Sequence, residues 1–278
     1  MLNNIYQALD PVAFALGPIE VRWYGLAYML AFLLCSLLFY RIAKRWEVKL
    51  DYDAMLNVAI CVMLGTILGA RLGYVIFYGD GHYWSNPLSI LNLSQGGMSF
   101  HGGLIGVIIG GFAASRITGA SFLTLADLGA ITAPIGLFLG RCANFVNGEL
   151  WGAPTDMPWG VIFGGSAGMI PRHPTQLYEA VLEGLVILCV LYLLSRKVPP
   201  RPQGTFIGSF LLLYGIFRFA IEFVRQPDAH MGYLFFDWVT MGQLLSLPLI
   251  VAGIGLLVFA AVKKLPQRGM PEEECAEL

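Results

Sequence analysis

Long apolar runs separated by short polar breaks dominate this chain. A helix needs about 20 predominantly apolar residues to cross a bilayer. Seven stretches meet that length, at approximately 20–41, 55–78, 98–116, 123–142, 174–195, 205–225 and 238–262. Arg71 interrupts the second and Asp127 the fourth. Residues 1–19 lack a basic start and contain Asp10, Pro11 and Pro18, so they read as an amphipathic surface arm rather than a cleaved leader. Residues 143–173 form a long, weakly polar connection with Trp151, Gly152, Pro154, Pro158, Trp159 and Gly160. Tryptophan with little charge marks it as a folded loop region at the headgroup level. Residues 263–278 form a solvated tail, and no internal repeat of the kind seen in inverted-repeat transporters is present.

Composition narrows the class. The 278 residues are 57% apolar and 13% charged, with a mean hydropathy of +0.68. A soluble domain carries about 25% charged residues, so a large soluble enzyme is excluded. A net charge of −1 leaves no basic footprint for nucleic acid. The five cysteines (Cys35, Cys61, Cys142, Cys189, Cys275) have no paired spacing and read as small apolar fillers.

Charge placement orients the chain. Eleven basic residues, from Arg41 through Lys197 to Arg268, fall on one set of connections and the tail. Arg22, Arg141, Arg172 and Arg225 fall on the other side, while Arg71 and Arg218 lie inside runs. Positive-inside bias puts the N-terminus outside and the C-terminus in the cytoplasm, which an odd number of spans also requires. The expected fold is an all-α integral membrane protein of about seven transmembrane helices.

Polar residues inside a membrane are costly, so their clusters are informative. The first is Gln95 to Gly103, where His101 could serve as a base and Gly102, Gly106 and Gly110 have helix-packing spacing. The second, Gly140 to Gly152, holds Arg141, Asn144, Asn147 and Glu149. The third, Arg172 to Glu179, places Gln176, Glu179 and Glu183 on one helix face, where Glu179 could equally just complement a helix N-terminus. In the fourth, Tyr214, Arg218, Glu222 and Arg225 form one stripe, with Glu222 the evident partner for a buried Arg218. Arginine's forked donors suit a phosphate, and a phospholipid headgroup is the natural anion here.

Two local matches carry nothing. Gly164-Gly165-Ser166-Ala167-Gly168 has the spacing of a hydrolase elbow, but Met169-Ile170-Pro171 follows where a helix is required. Cys35 follows Leu34 in mid-run, the wrong context for a lipidated cysteine. No metal motif such as HExxH occurs, and no metal or cofactor is expected. A transporter of anionic metabolites is the rival reading; it calls for midplane charges and repeat symmetry.

Gly97-Met98-Ser99-Phe100-His101-Gly102-Gly103, Gly140-Arg141 through Gly152, His173 through Glu179, and Phe217-Arg218 through Asp228 together resemble the bacterial prolipoprotein diacylglyceryl transferase family, with Arg22-Trp23-Tyr24-Gly25 fitting as well. The likeness runs from about residue 10 to 262. It implies a seven-span enzyme of the bacterial inner membrane with a periplasmic N-terminus and an active site toward the periplasm. Its substrates would be phosphatidylglycerol, among the membrane lipids, and a prolipoprotein signal peptide with its lipobox cysteine. Diacylglyceryl would pass to that thiol, forming a thioether and releasing glycerol phosphate, the first step of lipoprotein maturation. On that footing Arg141 and Arg218 are expected to hold the phosphate, Glu222 to orient Arg218, and His101 to relay the thiol proton. Asn144, Asn147, Glu149, Gly152 and Arg225 are expected to shape the headgroup site, with Tyr24 and Tyr214 as lipid contacts.

Overall fold

The computed structural model describes residues 2–269 except 18, 80, 81, 93–95, 227–231, 233 and 235–237. The side chains of 16, 19, 78, 82, 84, 100 and 101 also lie outside the described residues. The expected acidic tail therefore falls outside them from residue 270 onward, as do Gln95 and Asp228.

Helices occupy all seven apolar runs: α2 (Trp23–Arg45), α3 (Tyr52–Tyr78), α5 (Phe100–Thr118), α6 (Phe122–Asn147), the rod of α7 (Thr175–Glu179) continuing into α8 (Ile187–Ser195), α9 (Thr205–Ile221) and α10 (Met241–Lys263). Short α1 (Leu2–Gln7) and α4 (His82–Ser85) complete the set. Five of the long helices are apolar and long enough to cross a membrane, whereas α9 and the Gly102–Thr118 part of α5 are shorter apolar helices. The chain is thus a multi-pass membrane protein. One antiparallel hairpin, β1 (Val12–Leu16) with β2 (Ile19–Arg22), stands in the expected surface arm and leads directly into α2.

Two compact units divide the chain, one of Met1–Ile42 with Asp127–Pro266, the other of Ala43–Ala126 with Gln267–Leu278. In the second unit α3 and α5 cross at glycine contacts. A Cβ added to Gly73 would stand 2.8 Å from Gly102 Cα, and one added to Gly69 equally close to Gly106 Cα. The expected packing role of Gly102 and Gly106 is therefore observed, with partners on α3. Arg71, buried in mid-helix, donates to the carbonyls of Ser89, Ile90, Asn92, Gly96 and Gly97 at 2.7–3.0 Å. A forked cation satisfied by five carbonyls explains how an arginine is tolerated there. Ser99 then caps α5 through Gly102 N.

Within the first unit, Asp127 resolves the other anomaly. Its carboxylate accepts from the backbone N–H of Gly204 (2.8 Å), Phe206 (3.0 Å) and Ile207 (2.8 Å). It therefore caps α9 from another helix, satisfying donors that every helix N-terminus leaves open. Helix α10 is capped locally by Thr240 and Gln243 in a reciprocal box. Helix α1 grips the loop after α6: Asn3 Oδ1 accepts from Ile162 N (2.9 Å), and Gln7 Nε2 donates to Ile162 O (2.7 Å). Tyr6 sits between Phe145 and Phe163, with ring centroids at 5.3 and 4.9 Å. Burial raises the Tyr6 phenol above its ordinary range.

Candidate active site

The site is built where α6 ends and α7 begins. Helix α6 runs past the expected end at 142 to Asn147. Asn144 and Asn147 both donate to Glu149 Oε1, at 2.8 and 3.2 Å, closing a small polar ring. From the start of α7, Gln176 donates to Glu149 O (2.6 Å) and Thr175 to Leu150 O (3.0 Å). These bonds fasten the second and third sequence clusters together.

Between α7 and α8 the rod is π-helical over Ala180–Val186. Such wide turns inside α-helices recur at functional sites. Glu179 and Glu183 flank and enter this stretch, and both are fully buried. Gly184 lets the rod approach α6 closely, since an added Cβ would lie 2.7 Å from Phe138 Cβ.

Three arginines converge on Glu179. Arg141 Nε lies 2.6 Å from Oε2, while Arg218 Nη1 and Arg225 Nη1 donate to Oε1 at 2.8 and 2.6 Å. Arg218 Nη2 also pairs with Glu222 Oε1 at 2.5 Å, and Arg225 Nε stands 3.7 Å from the same oxygen. Glu222 accepts the Thr240 hydroxyl at 2.6 Å. Gly242 leaves room for that carboxylate, because a Cβ there would be 2.5 Å from Glu222 Oε1. Arg141 Nη2 lies 3.9 Å from Glu183 Oε2.

The arrangement has a direction. The Glu179 side chain has no exposure, whereas Arg141, Arg218 and Arg225 keep 19%, 17% and 12% of theirs. Buried carboxylates thus hold the guanidiniums from behind. Each guanidinium has five N–H donors, so the outward donors remain for an anion.

Other expected residues fall around this cluster. Gly152 pairs with Arg225 as an isolated antiparallel bridge, and a Cβ on it would meet Val224 O, Thr175 Cγ2 and His173 Cβ at 2.6–2.8 Å. Tyr214, one turn before Arg218 on α9, lies in the field of Glu183, Arg218, Arg141 and Glu179. Tyr24 meets Tyr28 hydroxyl to hydroxyl at 3.1 Å at the start of α2. His101 falls in the first turn of α5, in the other unit, with its side chain outside the described residues.

One expectation is corrected. The Tyr214–Arg225 stripe is not one helix: α9 stops at Ile221, and a turn over 222–224 swings Arg225 back onto Glu179. Arg172 is a loop fastener, donating to Ala167 O and Gly152 O and lying 4.2 Å over the Trp151 ring. Gly165–Ala167 forms a short 3-10 turn, with no flanking strand or helix among the described residues, as expected for a chance match. Beside the loop, His173 Nδ1 lies 3.1 Å from the Tyr178 hydroxyl, which also accepts from Trp159 Nε1 at 2.7 Å. Desolvation holds the His173 imidazole below its ordinary pKa range.

Sequence reasoning missed Thr240 and Gly242, and left the parts of Glu179 and Glu183 open. The signal for the two glutamates was their shared face with Gln176. Thr240 offered only the capping-box spacing to Gln243.

Comparison with known proteins identifies the family. The sequence profile of a family described as "Prolipoprotein diacylglyceryl transferase" matches residues 11–259. A protein of Oleidesulfovibrio alaskensis named phosphatidylglycerol–prolipoprotein diacylglyceryl transferase is 50% identical over 259 residues, covering 92% of this chain and 94% of its own. Proteins with the same name from Pseudomonas fluorescens and Methylococcus capsulatus are each 48% identical, covering 92% and 93% of this chain and 94% and 98% of theirs.

Proposed function

The chain belongs to the prolipoprotein diacylglyceryl transferase family, and from that premise we propose how its buried arginine cluster carries the reaction. The activity is transfer of a diacylglyceryl group from phosphatidylglycerol to a prolipoprotein, the first step of lipoprotein maturation. The acceptor is the lipobox cysteine thiol of the signal peptide. Its sulfur forms a bond to the diacylglycerol carbon, the bond from that carbon to the phosphate oxygen breaks, and glycerol phosphate leaves. The thiol proton ends on the phosphate monoester or in solvent.

The observation that carries this reading is the convergence of Arg141, Arg218 and Arg225 on Glu179. The leaving phosphate gains charge as its bond breaks, so fixed arginine donors favour the transition state over the bound lipid. Arg141 and Arg218 hold the phosphate; Glu222 and Glu179 aim them. The ring of Asn144, Asn147 and Glu149, with Gly152 and Arg225, frames the glycerol end, and Tyr24 and Tyr214 contact lipid. Free cysteine titrates near ~8.5, so the thiol needs a base, and the sequence motif makes His101 the choice.

The chain crosses the bacterial inner membrane seven times, with α5 and α9 near the lower limit of about 17 residues for a span. The uneven distribution of basic residues supports a periplasmic N-terminus and a site facing the periplasm. The test is purified protein with phosphatidylglycerol and a lipobox peptide. A diacylglyceryl mass gain on the peptide, matched by one equivalent of glycerol phosphate, is expected. Mass gain with the phosphate retained on the peptide, or none, overturns the scheme.

A further inference from the structure

Glu183 stands apart from the other carboxylates of the cluster. It has no exposed surface, and neither of its oxygens accepts a hydrogen bond from any described residue. Its nearest cation, Arg141 Nη2, is 3.9 Å away, outside hydrogen-bonding range. Glu179 and Glu222, by contrast, are held at 2.5–2.8 Å by arginines, and Glu222 takes the Thr240 hydroxyl besides. The groups around Glu183 are Glu179 on its own rod, Arg141 from α6, Arg218 and Tyr214 from α9, and Arg225 beyond the end of α9. The Gly184–Phe138 contact holds the rod against α6 at the next residue.

Among the described residues the cluster is in balance, with three arginines facing three glutamates. A phosphodiester carries one negative charge. Its arrival would leave one unmatched charge in a desolvated place, where unpaired charge is costly. Protonating Glu179 or Glu222 would break the short contacts that position the arginines. Protonating Glu183 loses a single long one.

We infer that phosphatidylglycerol binds together with one proton, and that Glu183 is the group that takes it. The inference rests on the assignment of the arginine cluster to the headgroup phosphate. The proton comes from solvent, the Glu183 carboxylate becomes a carboxylic acid, and the cluster's spare positive charge then matches the phosphodiester. No electrons move, and release of the lipid returns the proton.

Calorimetric titration of the detergent-solubilised protein with micellar dioleoylphosphatidylglycerol, without peptide, tests this in two buffers of different ionisation enthalpy. The wild type takes up about one proton per lipid bound, and its affinity falls about tenfold per pH unit over the alkaline range, as proton linkage requires. Glu183→Gln, which mimics the protonated acid, binds with uptake near zero and a flat pH profile. Binding without uptake in the wild type, or unchanged uptake in Glu183→Gln, overturns the inference. The wild-type measurement decides alone if the variant does not fold. If the wild type binds no lipid, or Arg141→Ala binds it equally well, the headgroup assignment itself fails, which is a different result.

Discussion

Oε1 of Glu179 accepts Nη1 of Arg225 at 2.6 Å across 46 residues of chain. The same oxygen accepts Arg218 Nη1 at 2.8 Å, so one buried carboxyl gathers groups from the end of α9 onto α7. Glu179→Gln keeps the volume and removes the charge. Breaking a buried pair in this way costs about 3–5 kcal/mol, and transfer should fall by at least about a hundredfold. Turnover normalised to folded protein checks it; full activity would remove Glu179 from the machinery.

Arg141→Ala and Arg218→Ala each remove a donor aimed at the leaving phosphate. Loss of one such donor lowers kcat by about 10²–10³, or about 2.7–4 kcal/mol. Lysine should restore little, because a point charge cannot reproduce the fork that pairs Arg218 with both Glu179 and Glu222. Initial rates of glycerol phosphate release for Ala and Lys variants at both positions make the comparison.

Gly242→Ala separates activity from stability. Its Cβ would lie 2.5–2.7 Å from the Glu222 carboxylate oxygens. A carboxylate at the end of a side chain can shift, so the fold survives while Glu222 leaves Arg218 and Thr240. Turnover should drop on the order of tenfold, about 1.4 kcal/mol, with little change in Tm. A Tm loss at unchanged specific activity would contradict this.

Asp127→Ala should behave in the opposite way. Three backbone donors of α9 lose their acceptor. At about 1–2 kcal/mol for a lost cap, thermal stability falls while turnover per folded molecule holds. Asp127→Asn, which keeps one acceptor oxygen, should fall between the two on a denaturation curve.

His173 gives the loop a pH dependence. Its pKa is depressed by burial, so the unfolded loop binds a proton more readily than the folded one. The stabilising contribution is complete above the unfolded value, about 6.5, and fades as pH falls toward and through the lowered folded value. The protection of amides over 150–173, taken relative to their intrinsic exchange rate at each pH, should therefore fall as pH drops below about 6.5, and His173→Gln should flatten that change.

Much of this molecule was legible from local pattern. A bilayer imposes a composition on every spanning helix, so the seven helices lie where the apolar runs are, within a few residues at most ends. The small-residue spacing of Gly102 and Gly106 announced a close helix contact, and scarcity of charge made Arg141, Arg218 and Glu222 conspicuous. Tertiary structure alone decided the pairings. Helical periodicity assigns a residue to a face but does not say which other helix that face meets. Arg172 and Arg141 look alike in sequence, yet one rivets a loop to Gly152 and Ala167 while the other reaches Glu179. Asp127 looked like an interruption of a span and is the distant cap of α9. Helix α9 ends four residues early, and Arg225 then meets a carboxylate on another helix. Buried charges settle where a partner compensates their desolvation, and that partner is fixed by packing between helices, which no single stretch of sequence contains.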